Sequence, residues 1–246
     1  MKLKGVLFDL GNTLAEYYTR AEFPGVLKLA ISEVEIYLDS HGLVIPRPDE
    51  LWIRIEAENH EARNYRVKPL EARLRRIFGV SDDSHIEAMC RAFLKPTFAL
   101  GRCYEDSVPV LQELRSMGIR TAIVSNSPCG SPARLWREEI ERLGLREYVD
   151  AVVFCGDVGW RKPARPIFLH TLSKLGLAAE DCVFVGDHPR WDLAGPKAVG
   201  IEAVLIDRRG VVQDTGEDPI SDLYEFLARL KLSTCSSVHR PDFQAV

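Results

Sequence analysis

The amino-acid sequence predicts an α/β protein in which a parallel sheet carries a helical domain inserted after its first strand. Five short apolar runs have the length and composition of buried strands. Helical patterns separate the later runs, an alternation that is typical of right-handed βαβ units. A long stretch after the first run, residues 16–102, contains helical patterns and no convincing strand. Together these observations favour a parallel sheet covered by helices on both faces, with a separate helical insert.

The predicted strands are apolar runs that are too short to be helices. They cover residues 5–8, 119–124, 149–154, 182–185 and 201–206. Between the later strands, apolar residues recur at helical spacing over residues 107–117, 132–143, 166–175 and 191–199. We assign residues 1–15 and 103–232 to this core. The polar tail, residues 233–246, is expected to be flexible.

The insert is predicted to be all-helical. Its four amphipathic patterns cover residues 24–41, 48–61, 69–78 and 84–94. Pro24, Pro48 and Pro69 each stand where a helix can begin, because the first turn of a helix needs no N–H donor. The insert follows the end of the first strand directly. We therefore expect it to stand over the carboxyl edge of the sheet.

Composition and charge narrow the classes of function. The chain has 246 residues, of which 46% are hydrophobic and 28% charged, and its formal net charge is −4. This charge, without a long basic run, argues against a nucleic-acid partner. The first residues are charged and the apolar runs are short, so we expect neither a signal peptide nor a membrane span. The six scattered cysteines form no CxxC pair, which favours reduced thiols in a cytoplasmic protein.

Polar residues stand at the ends of four predicted strands. They are Asp9 after the first strand, Ser125 and Asn126 after the second, Lys162 after the third, and Asp187 with Asp192 after the fourth. Each residue alone is more often a turn residue or a helix cap. However, ligands of open α/β sheets bind outside the carboxyl ends of the strands. The presence of all four groups, in order, therefore indicates one shared site.

The residue types at this edge fit phosphoryl transfer. Asp9 can attack phosphorus and form an aspartyl-phosphate. Mg²⁺ prefers oxygen ligands. The chain can supply them from a second oxygen of Asp9, the carboxylates of Asp187 and Asp192, and the main-chain carbonyl of Gly11. Residues at the remaining strand ends would donate hydrogen bonds to the phosphoryl oxygens and balance their negative charge. The predicted phosphoryl-binding residues there are Ser125, Asn126 and Lys162.

These motifs make the chain resemble the haloacid dehalogenase (HAD) superfamily of hydrolases. The matching positions are Asp9 to Thr13, Ser125, Lys162, and Gly186-Asp187 through Asp192. The resemblance spans about residues 3–230, and the insert resembles the helical type-1 cap of that family. It implies a Rossmann-like core, Asp9 as nucleophile, Lys162 as a second catalytic residue, a Mg²⁺ ion, and phosphatase activity on small phosphorylated molecules. Thr13 would support the nucleophile loop and the bound phosphoryl group, and the cap would open and close to select substrates.

Gly11 departs from the pattern of the family's phosphatases, which usually carry Asp two residues after the nucleophile. That Asp protonates the leaving group and then activates water, and such help is typically worth about 10²–10⁴-fold in rate. In a first interpretation, the chain is a phosphatase without this acid and favours good leaving groups such as aryl or acyl phosphates. The substrate itself or a cap residue would replace the acid. The cap residues considered are Glu16, Tyr17, Tyr18 and His60.

Two other interpretations stay open. One is chemistry on carbon or on a phosphonate, although haloacid dehalogenases generally lack the acidic Gly186-Asp187 motif. Phosphonoacetaldehyde hydrolases have a small residue at the position of Gly11, but they need a Schiff-base lysine from the cap. Lys28 and Lys68 are cap lysines, and neither stands in a matching pattern. The last interpretation is a weak or inactive relative that binds a phosphorylated ligand or a protein partner. The intact motif set argues against it, so a Mg²⁺-dependent phosphatase is favoured.

Overall fold

A parallel sheet of five strands forms the centre of the computed structural model, which describes residues 3–58, 64–211 and 216–236. In chain order the strands are β1 (Gly5–Phe8), β2 (Ala15–Glu16), β3 (Arg102–Cys103), β4 (Arg120–Ser125), β5 (Ala151–Phe154), β6 (Cys182–Gly186) and β7 (Glu202–Leu205). The sheet order is β5-β4-β1-β6-β7, and all neighbours are parallel. Strand β1 is central, so its carboxyl end is flanked by those of β4 and β6.

Helices cover the sheet and make up most of the insert. They are α1 (Phe23–Ser40), α2 (Pro48–Ala57), α3 (Leu70–Phe78), α4 (Ile86–Leu100), α5 (Ser107–Ser116), α6 (Ala133–Arg142), α7 (Cys155–Val158), α8 (Arg165–Leu175), α9 (Gly195–Lys197) and α10 (Leu223–Ser236). Short 3₁₀ segments lie at Asp83–His85, Pro128–Gly130, Arg146–Tyr148 and Ala179–Asp181, and a π-helical segment at Pro189–Ala194. None of the described helices has both the length and the apolar character that a bilayer crossing requires. The predicted α/β class is confirmed.

The sheet is buried on both faces because successive side chains of a strand point to opposite sides. Val6 and Phe8 of β1 belong to one apolar cluster, which includes Leu111 of α5. Leu7, between them, belongs to a second cluster with Phe168 of α8. Burial on both faces explains why β1 is apolar along its whole length.

The observed strands match the predicted ones apart from a residue or two at their ends. Two helices differ more. Helix α4 passes the predicted end at residue 94 and continues through Pro96 to Leu100, because packing against α1 buries its face as far as Thr97. The predicted helix over 191–199 is instead the π-helical segment followed by α9, since the chain turns tightly around Asp192, whose side chain lies against Gly186.

A short antiparallel ribbon joins the insert to the core. Ala15 pairs with Cys103 and Glu16 with Arg102, so both predicted junctions, 15/16 and 102/103, fall within this ribbon. Strands of two residues are too short to produce an alternating pattern, and the sequence therefore indicated no strand here.

Some predictions fall partly or wholly on residues outside the described ranges. The end of the predicted helix 48–61, with His60, is one of them, and α2 ends at Ala57. Residues 237–246 of the predicted tail are another. Helix α10 continues through Ser236, beyond the predicted start of the tail at residue 233.

Candidate active site

Strand order brings the predicted site residues to one edge of the sheet. Asp9 directly follows β1, Ser125 ends β4 and Asp187 directly follows β6. These three strands are neighbours, so the three side chains stand side by side. Lys162 reaches the same place from the loop after α7, which follows the next strand along, β5. All three line one cavity together with Lys162.

The buried ammonium of Lys162 links two of the carboxylates. Its Nζ donates a hydrogen bond to Asp192 Oδ1 over 2.7 Å. It also lies 2.8 Å from Asp9 Oδ1 as an ion pair, although the direction of that contact falls outside hydrogen-bond geometry. Burial alone would lower the pKa of Lys162, but the carboxylates of Asp192 and Asp9 outweigh it and raise the pKa. Lys162 therefore keeps its charge inside the protein.

Three carboxylates are crowded enough to hold a cation. One oxygen each from Asp9, Asp187 and Asp192 lies within 4.8 Å of the others. Burial and the charges of Asp9 and Asp192 raise the pKa of Asp187 well above its usual range. Burial also raises the pKa of Asp192 to about 6, against the opposing effect of Lys162. Because the single charge of Lys162 does not balance three carboxylates, this donor set fits a hard divalent cation such as Mg²⁺.

The turn after β6 brings Asp192 under the sheet edge. The backbone N–H of His188 donates to Asp192 Oδ2 over 3.0 Å. A Cβ at position 186 would lie 2.5 Å from the Asp192 side chain. Gly186 is therefore required for the close approach of this turn to β6, which gives a physical reason for the Gly-Asp pair of the motif.

Asn126 acts on the backbone around Lys162. Its side-chain Oδ1 accepts a hydrogen bond from the Lys162 N–H over 2.8 Å, and its Nδ2 donates to the Lys162 carbonyl over 3.2 Å. Asn126 also lines the cavity beside Ser125. The sequence suggested a phosphoryl contact for this residue, and the structure adds a second task, because the amide fixes the position of the lysine.

The loop after Asp9 is supported from behind by a network that the sequence did not indicate. Thr13 is fully buried beneath the loop, and its carbonyl accepts a hydrogen bond from Arg208 over 2.6 Å. Arg208 also makes two hydrogen bonds to the buried carboxylate of Asp106, of 2.7 and 2.9 Å, and packs on the ring of Tyr104. Arg208 follows β7 closely, so the strand-end argument could have found it if extended to the fifth strand.

A tight backbone turn follows Asp9. Asn12 adopts a left-handed conformation with φ of 55°, and its N–H donates to the carbonyl of Ala15 over 2.6 Å. Gly11 lies outside the left-handed region, and a Cβ placed on it would find nothing nearer than Tyr17 Cδ2 at 3.9 Å. A Cβ at position 11 therefore meets no clash.

The insert residues considered as replacement acids do not bring a carboxylate into this space. Glu16 forms an ion pair of 2.9 Å with Arg209 and does not line the cavity. Tyr17 lines it with its ring, but its hydroxyl donates to the buried Glu139 over 3.2 Å, away from Gly11. Burial raises the pKa of both Tyr17 and Tyr18 far above the usual range. His60, the fourth candidate, lies outside the described residues.

The cavity at this edge has a volume of about 690 Å³ and is shared between core and insert. Its lining from the insert consists of Tyr17, Tyr18, Arg20, Phe23 and Thr97. Within the described ranges, the only carboxylates on its wall are Asp9 and Asp187. His188 also lines it, and burial, reinforced by the charge of Lys162, lowers the pKa of its ring. Residues of the insert therefore line the cavity at the carboxyl edge of the sheet.

Comparisons with known proteins agree with this architecture. A sequence model of the haloacid dehalogenase-like hydrolase family matches residues 3–200. The chain is 29% identical over 220 residues to a glyceraldehyde 3-phosphate phosphatase of Methanocaldococcus jannaschii, which covers 89% of this chain and 91% of that protein. It is 34% identical over 129 residues to a phosphoserine phosphatase of Thermus thermophilus, with 51% and 50% of the two chains covered.

The fold has a counterpart among solved structures. The HAD phosphatase from Thermococcus onnurineus matches with a TM-score of 0.67 and 26% identity, covering 93% of this chain and 98% of that chain. The match of the family model over most of the chain, joined to the converging motif residues, assigns the family. The chain belongs to the haloacid dehalogenase-like hydrolase family.

Proposed function

We propose that this protein is a Mg²⁺-dependent phosphatase that hydrolyses small phosphate monoesters through an aspartyl-phosphate on Asp9. The observation that carries the proposal is that the buried Lys162 contacts both Asp9 and Asp192 at the carboxyl end of β1. The names of the two phosphatase relatives support the same chemistry. The cavity is large enough for a small phosphorylated molecule.

The metal would be held by the carboxylates of Asp9, Asp187 and Asp192, with the main-chain carbonyl of Gly11 as a further oxygen ligand. When bound, Mg²⁺ would neutralise charge on the phosphoryl oxygens and on the crowded carboxylates. The support for this role is the donor chemistry of the cluster and the raised pKa of both Asp187 and Asp192.

The residues of the chain would act in two steps. An oxygen of Asp9 attacks phosphorus, the bond to the ester oxygen breaks, and the alcohol or phenol leaves with the electron pair and takes a proton from solvent. Water then attacks phosphorus, the bond to Asp9 breaks, and inorganic phosphate leaves. In both steps Lys162 stabilises charge on the phosphoryl oxygens. Ser125 and Asn126 would orient these oxygens, and Thr13 would hold the nucleophile loop in place.

Gly11 gives the proposed enzyme a bias toward good leaving groups. Because the described carboxylates on the cavity wall are already committed as nucleophile and metal ligand, the leaving group would receive no proton from a carboxylic acid of the described wall. Aryl and acyl phosphates, whose leaving groups are stable as anions, would therefore react faster than alkyl phosphates. We expect this bias to separate the protein from relatives that carry Asp at this position.

The insert, residues 16–102, would serve as a cap over a core made of residues 1–15 and 103–232. Support comes from the ribbon at its base and from the insert residues that line the cavity.

A reducing, cytoplasmic location is part of the proposal. It is consistent with the free thiols found at each cysteine whose side chain is described, Cys90, Cys103, Cys129, Cys155 and Cys182.

The alternative functions have less support. The Schiff-base mechanism needs a cap lysine in the cavity, and neither Lys28 nor Lys68 is among the described residues that line it. Haloacid chemistry needs no metal cluster, whereas three carboxylates converge here. A protein that only binds a phosphorylated ligand would use the same cavity without turnover, and the experiment below separates it from the enzyme.

The test is release of p-nitrophenol from p-nitrophenyl phosphate, measured with Mg²⁺ and with EDTA. We expect turnover that needs Mg²⁺ and is lost in Asp9→Asn. Asp181→Asn, at the opposite end of β6 where Asp181 pairs with Lys4, is the matched control and should behave as wild type. Absence of turnover in folded wild-type protein, or equal turnover in Asp9→Asn, would overturn the proposal.

A further inference from the structure

We propose that the natural substrate carries a second anionic group, a carboxylate or another phosphate, and that Arg161 binds it on the cavity wall. This inference rests on the proposed phosphatase function and names the class of substrate. It begins from a guanidinium group that the phosphoryl site does not use. Arg161 precedes Lys162 directly and lines the same cavity.

The backbone of Arg161 is held between core and insert. Its N–H donates to the carbonyl of Tyr65 over 2.8 Å, and the N–H of Val67 donates to the carbonyl of Gly159 over 3.1 Å. Arg66 and Trp160 form the bridge between these two hydrogen bonds, and the Arg66 guanidinium stacks 3.8 Å from the Trp160 ring centre. The base of the Arg161 side chain is therefore fixed before any ligand binds.

The guanidinium of Arg161 lacks an anionic partner. In the described part of the chain, no carboxylate lies within ion-pair distance of it, and its Nε is buried without a hydrogen-bond partner. The ring of Trp191 lies 5.9 Å from the guanidinium carbon. A buried donor without a partner is uncommon in native proteins and indicates a missing acceptor.

Other side chains on the cavity wall are also positively charged. Arg20, from the insert, and Arg190, which donates to the Tyr65 hydroxyl over 2.8 Å, also line the cavity. The two carboxylates on the wall, Asp9 and Asp187, belong to the proposed nucleophile and metal site. Beyond that site the charged lining described by the structure is arginine alone, so the cavity attracts a substrate with negative charge at both ends.

Arginine suits this task because its planar guanidinium binds carboxylate and phosphate oxygens through two parallel hydrogen bonds. Both groups offer the same paired oxygens, so the shared chemistry is a second oxyanion, and the experiment distinguishes its two sources. The volume of about 690 Å³ accommodates a small molecule with anionic groups at both ends.

The test uses aryl phosphates, for which the missing acid at Gly11 matters least. The kcat/KM values are compared for para-carboxyphenyl phosphate, para-phenylene bisphosphate and the neutral para-carbamoylphenyl phosphate, which resembles the first in size. We expect wild type to favour at least one of the doubly anionic substrates over the neutral one by roughly 10- to 100-fold, the range of a charge-assisted hydrogen-bonded contact. The preference should lie mainly in KM, because the contact is remote from phosphorus.

Variants assign the preference to Arg161. In Arg161→Gln the ratio of doubly anionic to neutral substrate should fall toward one, and Arg161→Lys should retain part of it. Arg165→Gln removes an exposed arginine at the start of α8 that does not line the cavity, and its ratio should equal that of wild type. Since each ratio is internal to one protein, a general loss of activity cancels.

Each outcome decides a separate question. A wild-type ratio near one for both anionic substrates, or an unchanged ratio in Arg161→Gln, overturns the inference. Preference for the carboxylate alone identifies a carboxylated substrate, and preference for the bisphosphate alone identifies a second phosphate. If Arg161→Gln does not fold, Arg161→Lys decides the assignment, and a ratio in that variant equal to the wild-type ratio overturns it. Failure of all aryl phosphates, with p-nitrophenyl phosphate included, would instead refute the proposed function.

Discussion

A carboxylate introduced at position 11 would supply the general acid that the site lacks at Gly11. In Gly11→Asp the new side chain meets no atom closer to its Cβ than Tyr17 Cδ2 at 3.9 Å, which is an ordinary van der Waals distance. The backbone of Gly11 lies outside the left-handed region, so an L residue fits without strain. We therefore expect the substitution to change the chemistry of the site without a steric clash at its Cβ.

The size of the effect follows from what the new residue can do. A positioned general acid is worth about 10²–10⁴-fold in rate. The carboxylates of Asp9 and Asp187 would raise the pKa of the new Asp, in the way that neighbouring charges raise the pKa of Asp187. A protonated fraction would therefore persist near neutral pH. We expect kcat/KM for an alkyl phosphate to rise about 10²-fold, the lower end of that range.

The assay compares glycerol phosphate with p-nitrophenyl phosphate in wild type, Gly11→Asp and Gly11→Asn. The aryl substrate needs little acid assistance, so its kcat/KM should change less than about 10-fold. The Asn variant has the same shape without an acidic proton and should keep the wild-type preference for the aryl ester. Two results would refute the reasoning: wild type that hydrolyses both esters equally well with chemistry rate-limiting, or a gain of alkyl activity in Gly11→Asn that equals the gain in Gly11→Asp.

Three further predictions follow from the contacts of the site. Asn126→Ala removes both hydrogen bonds to the Lys162 backbone and should lower kcat more than it raises KM, with about 1–3 kcal/mol lost in urea unfolding; Asn126→Asp, which keeps only the acceptor, should fall between it and wild type. Because the folded protein raises the pKa of Asp192 to about 6, this carboxyl favours folding at low pH and opposes it above pH 6. Mg²⁺ should therefore raise the melting temperature more at about pH 7.5 than at about pH 5, and an equal shift at both would contradict the metal assignment. Arg208→Gln strands the buried Asp106 carboxylate and should cost about 3 kcal/mol in the free energy of unfolding, whereas the half-exposed neighbour Arg209, changed to Gln, should cost less than about 1 kcal/mol.

The parts of the site that sequence could predict are those fixed by strand geometry. Parallel strands end at one edge, so the position of Asp9, Ser125 and Asp187 along the chain was enough to bring them together. The apolar runs identified the strands because burial on both faces leaves few polar positions. The same reasoning identified a helical insert, since apolar residues recur there at helical spacing and do not alternate with polar ones.

The parts that sequence could not predict depend on contacts between distant segments. Arg208 contacts Thr13 and Asp106, which are 195 and 102 residues away along the chain, and no local pattern encodes such a pairing. The bond from Asn126 to the Lys162 backbone depends on how two loops approach each other. The unsatisfied Nε of Arg161 becomes visible only when every neighbour is in place. Such contacts follow from tertiary packing, which periodicity and motif spacing do not describe.

The central claim is that Asp9 becomes phosphorylated, and chemical quench tests it most directly. The phosphoryl group of phenyl phosphate is radiolabelled, and the protein is denatured in acid within its first turnovers. Since Gly11 offers no base to activate water, breakdown of the aspartyl-phosphate should be slow, and label should accumulate to a level close to that of the enzyme. We predict that peptide mapping places this label on the segment containing Asp9 and that Asp9→Asn retains none. Turnover by wild type without labelled protein, or label that persists in Asp9→Asn, would contradict the claim.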